Sequence, residues 1–233
     1  MNSYLSQSIF KSLELIFSFD PDVYFIVWTS VRIATTSAIL ATLAGVPLGL
    51  FLAIRKFKGK RVVTTILNTL MALPTVVIGL LVYSFITRRA PIGSLGLLFT
   101  PTAIVIGQFI LACPIITAMV YSITQGKEKK ILKTAYGLGA SPAEALKIFL
   151  WEIKIPLLAA VMAGFGRVIG EVGVSMMLGG NIYGLTRTMT TAIALETSKG
   201  EFALGLALGL ILLIVALAVN SFVTYVNYRT EKA

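Results

Sequence analysis

Residues 33–54 read IATTSAILATLAGVPLGLFLAI, with no charged side chain between Arg32 and Arg55. A bilayer hydrocarbon core about 30 Å thick takes roughly 20 residues of helix, so this stretch can cross it once. In lipid an isolated crossing must pair its own backbone amides, which selects helix. Working outward, Val62–Thr87 and Phe202–Tyr228 are also uncharged. Ala90–Gly126 is uncharged too, although Pro91, Gly93, Gly96 and Pro101 mark its first part as loop. A further stretch, about 155–178, is interrupted by Arg167 and Glu171. The expectation is an all-α integral membrane protein. A single membrane domain over 23–228 would hold about five transmembrane helices, near 27–54, 62–87, 101–125, 155–178 and 202–228. With 57% hydrophobic residues, 13% charged and a mean hydropathy of +0.89, the chain is not an ordinary soluble domain.

The first residues, MNSYLSQSIFKSLELIFSFDPD, show no cleavable-signal pattern. Leu5, Ile9, Leu13, Ile16 and Phe17 recur at helical spacing and predict a membrane-surface helix over 1–22. Cys113 stands alone, so no disulfide forms within the chain, and its apolar setting predicts packing. The absence of histidine removes the commonest proton relay and metal ligand, and no metal site is expected.

The net charge of +10 is informative by location. Five basic residues lie in RKFKGKR at 55–61, six more in 126–154, and Arg229 and Lys232 in the tail 229–233. The other side holds Lys11, Arg88, Arg89, Arg187 and Lys199. The positive-inside rule then places the N-terminus outside, and the 126–154 loop and C-terminus in the cytoplasm. Short membrane-flanking clusters without a reader motif do not suit nucleic-acid binding.

Within that loop, LKTAYGLGASPAEALKIFL at 132–150 predicts two short helices broken at Gly139. Ser141, Pro142 and Glu144 have the spacing of a capping box with proline at the first helical position. The loop is either a simple capped connection or a docking hinge. Pro47, Pro74 and Pro114 fall inside expected spans, and each removes a backbone hydrogen bond. They mark static kinks or points where helices bend, with Thr75 and Thr117 at hand for freed carbonyls. In the fourth span Arg167 and Glu171 are four apart and share a face. Charges at membrane depth face a bundle interior or a wet cavity. Gly166, Gly170 and Gly173 lie near the same stripe and would admit a close helix neighbour. This face is a structural ion pair with a packing groove, or a pore lining. No phosphate-binding loop, zinc-protease motif or activated nucleophile is present, which disfavours an enzyme.

The hinge resembles the cytoplasmic signature of ABC importer permeases, E-A-A, three residues, Gly, nine residues, I-x-L-P. Lys133-Thr134-Ala135 with Gly139 fits its start, and Ala140-Ser141-Pro142 follows as is usual there. Ile153-Lys154-Ile155-Pro156 resembles the ending but comes four residues late, which implies a second helix longer by about one turn. Leu73-Pro74-Thr75-Val76-Val77-Ile78-Gly79-Leu80 and Arg167-Val-Ile-Gly170-Glu171-Val-Gly173 resemble segments of molybdate, sulfate and tungstate permeases. Leu178–Ile182 with Thr190–Ser198 resembles the tungstate branch. The resemblance implies a type I ABC importer permease fold in a prokaryotic plasma membrane, with two copies of the chain, two ATPase subunits that bind ATP and Mg, and an external tungstate-binding receptor. It further implies that Ala135, Gly139, Ala140, Ser141 and Pro142 dock on the ATPase, with no cofactor in this chain itself. Molybdate or sulfate import, or an ATP-independent anion channel or carrier, are the alternatives. Arg167 could attract an oxyanion, but Glu171 offsets it, so structural pairing is the expectation.

Overall fold

The computed structural model describes residues 2–231, and among them it is helical with no strand. Helix α1 (Asn2–Phe17) ends in a turn where Phe19 has φ 54°. Asp20 then caps α2 (Pro21–Ile54), its carboxylate accepting from the amides of Asp22 and Val23 at 3.0 and 3.1 Å. Residues 20–22, expected in the surface helix, therefore begin the first long helix. Met1 of that expected helix lies outside the described residues, as do Lys232 and Ala233 of the tail.

The run 62–87, expected as one span, is two helices. α3 (Lys60–Ala72) and α4 (Thr75–Ile86) meet at Leu73-Pro74 with a bend of 100°. Pro74 has no amide hydrogen and clashes with the preceding turn, so helix cannot run through it unless packing compels it. None compels it here, because α3 buries no residue. Pro47 and Pro114 behave otherwise and stay inside α2 and α5 (Pro101–Thr124).

α2 and α5 form the central pair. Helix association in lipid gains little from hydrophobicity and relies on close backbone approach. A Cβ on Gly49 would lie 2.7 Å from the Thr117 carbonyl oxygen and from Val120, and one on Gly45 would lie 3.1 Å from the Cys113 oxygen. Around this pair pack α8 (Lys154–Ile169), α10 (Met189–Lys199) and α11 (Phe202–Glu231), sharing a core that includes Ile26, Ile116, Val168 and Leu208. A second cluster joins α4, α5 and the short α9 (Gly173–Gly179) through Ile78, Val82, Leu111, Val174 and Leu178. The segment between α5 and α8 holds α6 (Lys127–Gly137) and α7 (Pro142–Glu152). Among the described residues three helices, α2, α5 and α11, are long and apolar enough to cross a membrane. The total reaches five if the α3–α4 and α7–α8 pairs, bent by 100° and 64°, each count as one crossing.

Candidate functional site

The expected fourth span does not continue to residue 178 as one helix. α8 stops at Ile169, Gly170 to Val172 form a break, and α9 starts at Gly173. The break is closed by side chains. Arg167 donates from Nη1 to Glu171 Oε2 at 2.6 Å, and the Val174 amide donates to Glu171 Oε1 at 3.2 Å. The carboxylate thus serves two tasks, pairing a cation and accepting from the first turn of α9. Thr190 on α10 donates to the Glu171 carbonyl at 2.8 Å. Glu171 is 4% exposed and Arg167 38%, so one partner is sealed and the other reaches the edge of the bundle.

Beside the pair stands a network that sequence reasoning missed. Gln108 on α5 is buried; its Oε1 accepts from Ser37 of α2 at 2.9 Å. Its Nε2 donates to the Val168 carbonyl at 3.1 Å and reaches Ser175 Oγ at 3.5 Å. It therefore ties α2, the end of α8 and α9 together where the α8 ladder stops. Gln108 is the one amide side chain within α5, and that isolation in an apolar run was the available signal.

The expected gate or packing residues Pro74, Thr75 and Gly173 join this region. A Cβ on Gly173 would fall 2.7 Å from Thr75 Oγ1 and 3.3 Å from Glu171 Oε1, so the Pro74–Thr75 corner rests on bare backbone beside the ion pair. Gly166 and Gly170 are different. A Cβ on Gly166 meets nothing within 4 Å, and one on Gly170 only the Gly166 carbonyl oxygen at 3.8 Å. The close approach on α8 is at Gly164, where a Cβ would sit 2.7 Å from Ile116. Thr117 back-bonds to the Cys113 carbonyl at 2.7 Å. The carbonyl that Pro114 frees is one turn earlier, at Ile110, so Thr117 does not serve it.

Residues 135–142 form a separate site. Gly139 has φ +84°, a left-handed conformation that glycine adopts without a Cβ penalty. The Ala140 amide returns to the Ala135 carbonyl at 3.0 Å, closing α6, and Ala135 itself is buried. The capping box is complete. Glu144 accepts from the Ser141 amide at 2.8 Å, and the Glu144 amide donates to Ser141 Oγ at 3.4 Å. Hydrogen bonds from the Ser141 side chain and then its amide hold the Glu144 carboxyl below its ordinary value. α7 ends at Glu152 and turns at Ile153, leaving Pro156 in the first turn of α8, where its missing amide hydrogen costs nothing. A groove of about 540 Å³ lies between α6 and α7, lined by Ile131, Ala135, Leu138, Ile148 and Ile153 among others. Leu138 is 84% exposed and Trp151 70%, so this hinge presents apolar side chains outward.

The family described as the binding-protein-dependent transport system inner membrane component matches residues 45–232. The chain belongs to that family. Among the relatives of this transport component is the tungstate uptake system permease protein TupB of Peptoclostridium acidaminophilum, 37% identical over 94% of this chain and 96% of the relative. TupB of Campylobacter jejuni is 40% identical over 97% of this chain and 95% of its own length. A molybdenum transport system permease protein, ModB of Mycobacterium tuberculosis, is 30% identical over 80% of this chain and 73% of its own. In fold, the component is similar to a chain of the inward-facing MetNI methionine ABC transporter, with a TM-score of 0.71 and 17% identity, covering 89% of this chain and 96% of that one. The expected all-α, type I importer permease architecture is thus the observed one, and the chain is a multi-pass inner-membrane transport subunit.

Proposed function

We propose that this chain is the permease subunit of an ATP-driven importer that carries tungstate across the membrane. The observation that carries the reading is identity of 37–40% over nearly the whole chain to two tungstate uptake permeases, against 30% to the molybdenum one. In this reading two copies enclose the pathway, partner ATPase subunits bind ATP and Mg, and an external receptor delivers the anion. The basic clusters at 55–61 and 126–154 support a cytoplasmic hinge and an external N-terminus.

The hinge supports ATPase docking through Ala135, Gly139, Ala140, Ser141 and Pro142. Its capped α7 is a rigid lever, and the apolar side chains beside it suit a partner groove. Closure of the ATPases would be passed through α7 and the 64° bend to α8. Switching of this kind needs packed elements with two discrete arrangements. The Arg167–Glu171 pair supports the structural role, because both Glu171 oxygens are engaged within the fold. A dianion in transit is better served by hydroxyls and amides than by a fixed strong cation site.

Reconstitution of the chain with its ATPase and receptor in vesicles tests the reading. ATP hydrolysis stimulated by tungstate above molybdate and sulfate is the expected result. Equal or greater stimulation by molybdate or sulfate would reassign the anion. Anion uptake that proceeds unchanged without ATP would replace the importer with a channel or carrier.

A further inference from the structure

Arg32 has no role in the account so far. It is exposed on α2, and neither ion pair among the described residues uses it. Arg32 and Arg55 bracket the uncharged run, and at 1.5 Å per residue they stand about 35 Å apart along the helix, slightly more than a hydrocarbon core of about 30 Å. Arg55 belongs to the basic loop at one boundary, so Arg32 sits at headgroup depth on the other. Trp28, 61% exposed, lies one turn farther out on the same face, where interfacial aromatic rings collect.

One turn inward from Arg32, and on the same face, begins an apolar groove of about 370 Å³. Its walls are Thr35, Ile39 and Leu43 of α2, Val161 and Phe165 of α8, and Val219 of α11. Thr42 spends its hydroxyl on the Ala38 carbonyl and the remaining walls but Thr35 are apolar, so the groove solvates a dianion poorly and does not suit the transported species. A cation at headgroup depth above an apolar trough matches one amphipathic molecule. We propose that this face binds a glycerophospholipid, its phosphate paired with the Arg32 guanidinium and one acyl chain laid in the α2–α8–α11 groove. The guanidinium presents its donors in a fork that phosphate oxygens accept, and partial desolvation at the interface strengthens the pair. The site is independent of which anion the protein carries.

Native mass spectrometry of the purified complex tests this with two probes: dioleoyl phosphatidylglycerol, and a galactolipid with the same two chains and no phosphate. Wild type retains phosphatidylglycerol and releases the galactolipid. Arg32→Gln lowers phosphatidylglycerol retention about tenfold, the loss of one charge-assisted hydrogen bond, while Arg32→Lys keeps most of it. Val161→Trp, filling the groove, lowers retention with Arg32 intact. Equal retention of both lipids, or by wild type and Arg32→Gln, overturns the proposal. A second copy is the competing occupant. With Cys113→Ala as background, Ile39→Cys should give no disulfide-linked dimer in native membranes, and efficient linkage there would overturn the lipid site. Wild-type elution and melting behaviour for Arg32→Lys and Arg32→Gln keeps the comparison interpretable even if Val161→Trp misfolds.

Discussion

Two of the breaks in the second half of the chain are held by opposite means. At Gly170–Val172 the ends of α8 and α9 are locked by long-range partners: Thr190 from α10, and Gln108 from α5. At Leu138–Ser141 the hydrogen bonds among the described residues stay within the adjoining turns: Gly139 supplies the conformation and Ser141 with Glu144 restarts the helix. The first break is a fixed joint inside the bundle, and the second is a preset angle between two short levers. The difference teaches where force can enter. A joint closed by several helices moves only with all of them, whereas a locally closed hinge keeps its shape while the whole segment is pushed.

The sharpest way to break this contrast is to remove one member of the Arg167–Glu171 pair. Glu171→Ala removes the carboxylate that pairs Arg167 and caps the first turn of α9, with an expected loss of about 2 kcal/mol, visible as reduced folded yield and a lower melting temperature of the purified complex. Arg167→Ala should follow in the same direction. Normal yield with altered anion preference in that variant would turn the joint into a pathway wall.

Steric substitutions come next. Gly164→Leu and Gly49→Leu drive side chains into Ile116 and Val120 and should each cost about 1–3 kcal/mol by overpacking. Gly166→Ala, facing open space within the chain, should leave thermal stability unchanged. A large loss there would place an unseen partner on that face. Gly139→Val forces a branched residue into left-handed backbone at about 1–2 kcal/mol, and should uncouple ATP hydrolysis from uptake with less effect on yield than Glu171→Ala. Full coupling in Gly139→Val would count against the lever.

The smallest effects belong to the cap. Ser141→Ala should cost α7 about 1 kcal/mol, read by faster amide exchange in its first turn. Because Glu144 is held below its ordinary value, the cap it forms is fully present above the unfolded carboxyl value and is lost as pH falls through the lowered one. Exchange at the Ser141 amide should therefore be protected at neutral pH and lose that protection only in acid. An amide equally protected on both sides of that transition would remove Glu144 from the hinge.

Much of this arrangement was legible in the residues. Uncharged runs located the long helices because lipid penalises charge along a whole stretch, and the capping box followed from spacing alone. The elbow at Pro74 was not legible, since three prolines sat in similar apolar runs and only one breaks its helix. The outcome depended on packing. Pro47 and Pro114 lie in the tightly meshed α2–α5 pair, while α3 buries no residue that could hold it in line with α4. On α8 the close approach was read two residues off, at Gly166 instead of Gly164, which is nearly the opposite face of the helix. Periodicity fixes which residues share a face and leaves open which face meets a neighbour. Gln108 was overlooked because its signal, one amide isolated in an apolar helix, has no spacing that names its partners.

The contact between Gly173 and Thr75 constrains how the chain can vary. Positions 75 and 173 share a single volume, one supplying a branched hydroxyl side chain and the other only a hydrogen. A methyl at 173 would also press on Val76 Cγ2 at 3.0 Å, so Gly173→Ala should be rescued in part by Thr75→Gly although about a hundred residues separate them. Chimeras that exchange the 60–86 segment between related permeases should depend on how residues 75 and 76 fit against position 173.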